Sequence, residues 1–539
     1  MAFRSAPTRA VALIVLGASL GLGIPAAVAA PPVPSGAFRG ALMESLNDSA
    51  VESEALARFY AARDQAPLWM APDAAELRRA FFAALEQVQA HGLPAVRYDA
   101  EGLSAAFRDL RSDRDLGVLE VRMSRAFLAW ARDVSSGVLE PGRLDAGIVR
   151  EVTRPDPLAL LHGLEREGPR FLRELPPQTP EYAALMREKL RLEQRVIGTG
   201  WGPAVPAGAT LRPGDDGPAV LALRDRLAAM GVLAEATGSG FDAVLTEAVR
   251  SFQAAHGLVA DGVVGEATLD AINTSPEARL QSVIAAMERE RWLGPREARH
   301  VWVNLADFTT QIVEDGQITF ETRSVIGSDT RERRTPEFSD QMTYMVINPS
   351  WSIPRSIIGR DYLPALQRDP YAVGHLQVVD ASGREIPRGA IDFTQFSARN
   401  FPFHMRQAPG PQNALGTVKF MFPNKYAIYL HDTPQKNLFG RDMRAFSNGC
   451  IRLNDPHAFA YALLAGQVAD PEAYFARILA TGRETTVPLE RPVPIHLDYR
   501  TAFVGPDGAI TFRRDIYGRD ARIFEALTQA GVVLGGVQG

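Results

Sequence analysis

Apolar side chains recur at three- and four-residue spacing through ALARFYAARDQAPLWM (Ala55–Met70), AAELRRAFFAALEQVQAHGL (Ala74–Leu93) and VLEVRMSRAFLAWARDVSSG (Val118–Gly137). That period lays an apolar stripe along a helix. His91-Gly92-Leu93-Pro94 closes the second stretch with Gly then Pro, a helix stop. Residues 40–200 therefore read as a helical scaffold with no acid pair or nucleophile pattern. WGPAVPAG (201–208) is a Pro/Gly linker. GPAVLALRDRLAAMGVL and FDAVLTEAVRSFQAAHGL then predict two helices ended by Gly231 and Gly257, and Asp261-Gly262 turns the chain into a third. This compact unit occupies 208–274, and a further helix is predicted over Pro276–Trp292.

At residue 300 the period shortens to two. HVWVNLADFTTQIVEDGQITFETRSVIG alternates apolar and polar residues around Asp315-Gly316, a hairpin signal. TYMVINPSWSIP and KYAIYLHD predict more strands, making 300–485 β-rich. A polar, irregular stretch at 361–412 interrupts it; an insertion of that length is either a substrate-capping element or a passive surface excursion. Residues 486–539 predict a strand (Ile495–Val504), a Pro506-Asp507-Gly508 turn and a second strand packing back on the β domain. The fold class is α+β and multidomain.

The 539 residues exceed one core. With 63 acidic and 58 basic side chains the net charge is −5, and no long basic run marks a nucleic-acid surface. Residues 1–29 carry Arg4 and Arg9, a short apolar stretch and a small-residue end, the pattern of a cleaved signal peptide. No later segment is long and apolar enough to span a bilayer. Export sharpens the meaning of Cys450, the single cysteine. Exported chains use cysteines in pairs, so a lone one is intermolecular, inert and buried, or reactive.

Cys450 lies in HDTPQKNLFGRDMRAFSNGCIRL, nineteen residues after His431. A thiol attacks carbonyl carbon as thiolate, and an imidazole that takes its proton gives a thiolate–imidazolium pair. His431 ends a predicted strand, and a return loop can bring it to Cys450. Gly449 permits unusual dihedrals and close approach. Amides around Gly449–Ile451 are candidates for holding an oxyanion, and Arg452 adds a fixed charge. Asn348, Trp351 and Arg355 in NPSWSIPR, with Tyr426 and Tyr429, are candidate substrate contacts; β-domain packing explains Trp351, Tyr426 and Tyr429 equally well. The remaining histidines lack metal-ligand spacing and no nucleotide motif occurs, so neither metal nor cofactor is expected.

Two resemblances extend this reading. Residues 211–273, with Val220, Leu223, Phe241, Phe252, Gln253, Asp261, Gly262 and Leu269, resemble the three-helix peptidoglycan-binding module. H-D-T-P followed by F-S-N-G-C-I-R-L resembles the signature of L,D-transpeptidases, and VINPSWSIPRSI and GPQNALGTVKFMFPN stand in the expected order. Taken together, the chain resembles the large periplasmic L,D-transpeptidases with a YkuD-type catalytic domain. The resemblance implies that Cys450 is the nucleophile and His431 the general base, with Ser447, Gly449 and Arg452 at motif positions. It implies acyl transfer from a tetrapeptide donor stem, loss of D-alanine, and a 3→3 peptidoglycan cross-link that serves wall biogenesis and cell shape. Implied partners are stem peptides, glycan and other cell-wall synthesis enzymes. Asn448 stands where the family usually has histidine; asparagine cannot shuttle a proton but can hold the loop or orient substrate. The same thioester chemistry also suits an L,D-carboxypeptidase or protein-to-wall attachment, and loss of activity would leave a wall-binding scaffold.

Overall fold

The structure, a computed structural model, describes residues 34–46, 51–505 and 508–534. The expected signal peptide, residues 1–29, and the Pro506-Asp507 part of the expected turn lie outside these residues. The chain divides into two compact units: one takes residues up to 88, 95–132 and 155–176, and the other 89–94, 133–154 and 177 onward.

The first unit is helical, with helices such as Val51–Ala62, Ala75–Glu86 and Pro157–Glu167. Phe59, Trp69, Phe81 and Phe127 fill its core. Glu120 is fully buried there and accepts the Leu68 N–H (2.7 Å), the Met70 N–H (2.8 Å) and the Tyr60 hydroxyl (2.6 Å). A buried carboxylate is tolerated when its lone pairs are filled in this way.

The second unit begins with a helix pair, Pro180–Ile197 and Pro276–Trp292. Its core joins Leu185, Leu192, Leu280, Val283 and Ile284 to Ile523 and Leu527 of the Arg519–Gln529 helix. Helix Pro180–Ile197, grouped by sequence with the scaffold, thus packs on the second unit's own elements. Arg289 donates to Glu337 (2.6 Å) and Asp520 (3.0 Å), and Arg519 also reaches Glu337 (3.1 Å). Helices Pro218–Ala229, Ala243–Ala255 and Glu266–Asn273 enclose Val220, Leu223, Leu227, Val249 and Phe252. They form the predicted three-helix module.

Strands β1 (Arg299–Asn304), β2 (Thr309–Glu314) and β3 (Gln317–Gly327) come from the alternating stretch, with Asp315 and Gly316 at positive φ in the β2–β3 turn. β4 (Phe338–Ile347) follows. β5 (Trp351–Ser352), β6 (Gln377–Val379) and β7 (His404–Gln407) form a separate small sheet, ordered β5-β7-β6. Then come β8 (Val418–Met421), β9 (Leu430–His431), β10 (Ala445–Ser447), β11 (Ile451–Leu453) and β12 (Thr485–Asp498), with β13 (Ala502–Val504) and β14 (Ile510–Phe512) as a terminal hairpin. The large sheet runs β10-β3-β11-β9-β8-β4-β12-β1-β2, and β2 also pairs with β3. Those pairings close a ring whose inward side chains include Val301, Val303, Met345, Val418, Phe420, Leu430, Ile451 and Leu453.

Four expectations change. β12 runs between β4 and β1 inside the ring, so residues 485–498 are wall of the β domain rather than a tail laid on it. The predicted strand Ile495–Val504 breaks after Asp498. The predicted strand KYAIYLH shrinks to two residues because the Asn424 side chain pins a turn, donating to Phe422 O (2.6 Å) and Ile428 O (2.8 Å). The interrupting segment begins earlier than 361. Ile353, Ile357 and Ile358 share an apolar core with Leu366, Val378, Phe393, Phe401 and Met405, making it a folded cap with its own sheet.

Candidate active site

β9 lies parallel to β11, with Leu430 opposite Ile451 and His431 opposite Arg452; β8 flanks β9 on its other side, with Lys419 opposite His431. Val418, Phe420, Leu430 and Ile451 fill the ring interior. Alternation along each strand therefore turns Lys419, His431 and Arg452 to the outer face, and Cys450, two residues before Arg452, faces the same way. The strand pairing thereby sets Cys450 diagonal to His431. A separation of nineteen residues is closed by register rather than by local turn chemistry.

His431 is buried. Its Nδ1 donates to the Asp432 backbone carbonyl. A carbonyl only accepts, so Nδ1 carries the proton of the neutral ring and Nε2 keeps its lone pair. The Asp432 carboxylate is occupied elsewhere. It accepts from Thr417 N and Oγ1 (both 2.9 Å), Thr433 N (2.7 Å) and Lys436 Nζ (2.8 Å). Burial, helped by the Arg452 charge, pushes the imidazole down to about 3.

Cys450 is a free thiol, partly accessible to solvent. Its sulfur donates to Ala427 O at 3.6 Å, and the Tyr429 hydroxyl and backbone N–H lie in hydrogen-bonding reach. Burial pushes the thiol up to about 11 against the opposing pull of Tyr429, Arg452 and Lys419. Both members are thus driven toward neutrality. The preformed thiolate–imidazolium pair expected from residue types is disfavoured in the resting site, because desolvation penalises each charged form.

The loop before Cys450 is held from several directions. The Ser447 hydroxyl accepts from Gly449 N (3.1 Å) and donates to Cys450 O (2.5 Å). Ile451 N donates to Tyr429 O (3.1 Å). Two of the three amides considered for an oxyanion are therefore engaged, and among the described residues only the Cys450 N–H of that trio has no partner. Gly449 sits at φ 120, a conformation that favours glycine. The buried Thr335 hydroxyl donates to Gly449 O (2.8 Å) and accepts from Gly327 N (2.9 Å). Exposed Asn448 accepts from Arg360 of the cap through Oδ1 (2.9 Å).

With this geometry in view, the comparison with known families is direct. The profile of the L,D-transpeptidase catalytic domain, YkuD, matches residues 298–486. Residues 298–486 thus form a YkuD-type catalytic domain. A scaffold domain profile matches 54–188, and that of a "Putative peptidoglycan binding domain" matches 216–272. A Haemophilus influenzae protein named "Putative L,D-transpeptidase" is 34% identical over 254 residues, 47% of this chain and 51% of that relative. The chain thus spans about half the length of that relative. The crystal structure of the L,D-transpeptidase from Xylanimonas cellulosilytica is 16% identical, covering 55% of this chain and all of that one, with a TM-score of 0.18. At that score the superposition carries no weight.

Within the YkuD domain, the other candidate residues fall in distinct places. Trp351 starts β5 and its indole acts on the Tyr429 hydroxyl, which itself lies beside Cys450. Arg452 donates to Gln435 Oε1 (2.6 Å), and its Nε is buried without a partner. Asn348 is committed to carbonyls of Leu479 (3.1 Å) and Arg483 (3.3 Å). Tyr426 packs on Phe338 at 5.2 Å between ring centroids. Arg355 donates to Phe401 O (2.8 Å) within the cap. Lys419, Ala427, Thr335 and Arg360 are site residues that sequence reasoning missed. The first two stand near the strand quoted for His431, yet only cross-strand register and the Asn424-pinned turn reveal their role. Among the described residues no cluster of His, Cys, Asp or Glu is arranged for a metal ion, and no helix is long and apolar enough to cross a membrane.

Proposed function

We propose that the protein is an L,D-transpeptidase that forms 3→3 cross-links in peptidoglycan by cysteine acyl transfer. The observation that carries this reading is the free Cys450 thiol diagonal to His431, whose Nδ1 proton is tied to a carbonyl so that Nε2 is available as base. In the first half-reaction His431 Nε2 accepts the thiol proton as sulfur attacks the carbonyl of the third stem residue, a diamino acid. The oxyanion faces the Cys450 N–H, supported by the Arg452 and Lys419 charges. Collapse expels D-alanine, whose amine takes the proton back from His431, and leaves a thioester. In the second half-reaction the side-chain amine of another stem gives His431 a proton and attacks the thioester. The new amide forms and the thiol is restored. The peptidoglycan-binding domain supports action on the wall, and the leader supports export to the periplasm.

Intact-protein mass spectrometry of residues 30–539 with disaccharide-tetrapeptide tests the proposal. An adduct on wild type, absent from Cys450→Ala and strongly slowed in His431→Ala, with dimeric muropeptide in solution, is the expected result. Tripeptide as the only product would make the protein a carboxypeptidase. No adduct on folded protein would overturn acyl transfer altogether.

A further inference from the structure

Across β8, β9 and β11 the outer face carries three side chains in lateral register, Lys419, His431 and Arg452. Two cations thus flank the base, and both act electrostatically on the Cys450 sulfur. Burial lowers the Lys419 ammonium from its ordinary value, as it does the Arg452 guanidinium. Neither cation has a carboxylate partner among the described residues. Lys419 feels Glu484, but that carboxylate accepts from Ser350 N (3.0 Å) and Oγ (2.7 Å) and pairs with Arg406 (3.5 Å). Arg452 has the neutral Gln435 amide and an unpartnered, buried Nε.

Two partly desolvated like charges around one imidazole are unfavourable unless an anion joins them. A nucleophile beside them acts on a carbonyl, so the anion belongs to the peptide that bears that carbonyl. In a donor stem the leaving residue ends in a carboxylate three bonds from the attacked carbon. We infer that Lys419 and Arg452 form a carboxylate-binding pair that selects donor stems with a free C-terminal carboxylate. This inference rests on the acyl-transfer reading for its substrate, and it adds Lys419 as a specificity-determining residue.

The test measures binding by calorimetry to the full chain carrying Cys450→Ala, so that no chemistry intervenes. The probes are the L-Ala-γ-D-Glu-diaminopimelyl-D-Ala tetrapeptide and its C-terminal carboxamide. Adding Lys419→Met is expected to weaken the acid by about 10-fold or more, the effect of losing one charge-assisted hydrogen bond. The carboxamide is expected to change by less than about two-fold, which also shows that the variant is folded. Lys419→Arg is expected to restore discrimination. Equal loss on both peptides, or loss on neither, overturns the inference. Thioester formation by the protein with Cys450 intact is measured in parallel. Its absence while the acid is still preferred would sink the acyl-transfer reading and leave the carboxylate pair standing.

Discussion

Thr335→Val removes one hydroxyl and keeps the side chain's shape, which makes it the sharpest probe of how the Cys450 loop is held. Thr335 is fully buried, and its hydroxyl bridges Gly327 N (2.9 Å) and Gly449 O (2.8 Å). Valine leaves both backbone groups without a partner in a site with no room to rotate toward water. Each orphaned group costs about 1–3 kcal/mol, so the β domain is expected to lose about 2–6 kcal/mol. Thr335→Ser keeps the hydroxyl and loses a methyl, for about 1 kcal/mol. Gly449 depends on this anchor to hold its φ of 120, and Cys450 follows it directly. Valine should therefore also slow thioester formation, whereas serine should not. The assays are urea unfolding followed on the transition of the β domain, and the rate of adduct formation by mass spectrometry. Identical midpoints and rates for the two variants would refute the reasoning.

Gly416→Ala is expected to misplace His431. Gly416 has φ 61, and an added Cβ would lie 2.3 Å from Asp432 Cγ, forcing apart the network behind the His431 carbonyl contact; a normal adduct rate would contradict this. Arg360→Ala and Asn448→Ala each remove the exposed cap-to-loop bond, so each is expected to slow adduct formation only a few-fold, about 1 kcal/mol or less. The double variant should be no worse than either single one, and additive losses would show that the two residues act separately. With His431 lowered to about 3 and Cys450 raised to about 11, kcat/KM should be level between about pH 5 and 9. An inflection near pH 6–7 would instead reveal a preformed ion pair. The same shifts set stability. The neutral, buried His431 stabilises the fold above its unfolded value near 6.5, and this is lost as pH falls toward 3. The protonated, part-buried Cys450 stabilises below about 9, and this is lost as pH rises toward 11. Urea midpoints across pH should fall at both ends.

Local pattern carried much of this protein. Three- and four-residue apolar periods, Gly stops and the Asp315-Gly316 turn are instructions read within a few residues, so helix Pro276–Trp292 and the β2–β3 hairpin emerge from sequence alone. Cys450 and His431 stand out as candidates in the sequence because a lone cysteine set in such a motif is a chemical statement in itself. What sequence could not supply depends on pairing between distant segments. Whether β12 lies inside the ring or on it turns on hydrogen bonds to β4 and β1, more than a hundred residues upstream. Sequence leaves the Asp432 carboxylate and its backbone carbonyl equally able to partner His431; in the fold Thr417 and Lys436 occupy the carboxylate. Lys419 became a site residue through register, and Thr335 and Arg360 through folding back onto a loop more than eighty residues away. The charge state of the pair was decided last. Thiol and imidazole are named by the sequence, but how far each is pushed toward neutrality is set by the depth at which the ring and its neighbours bury them.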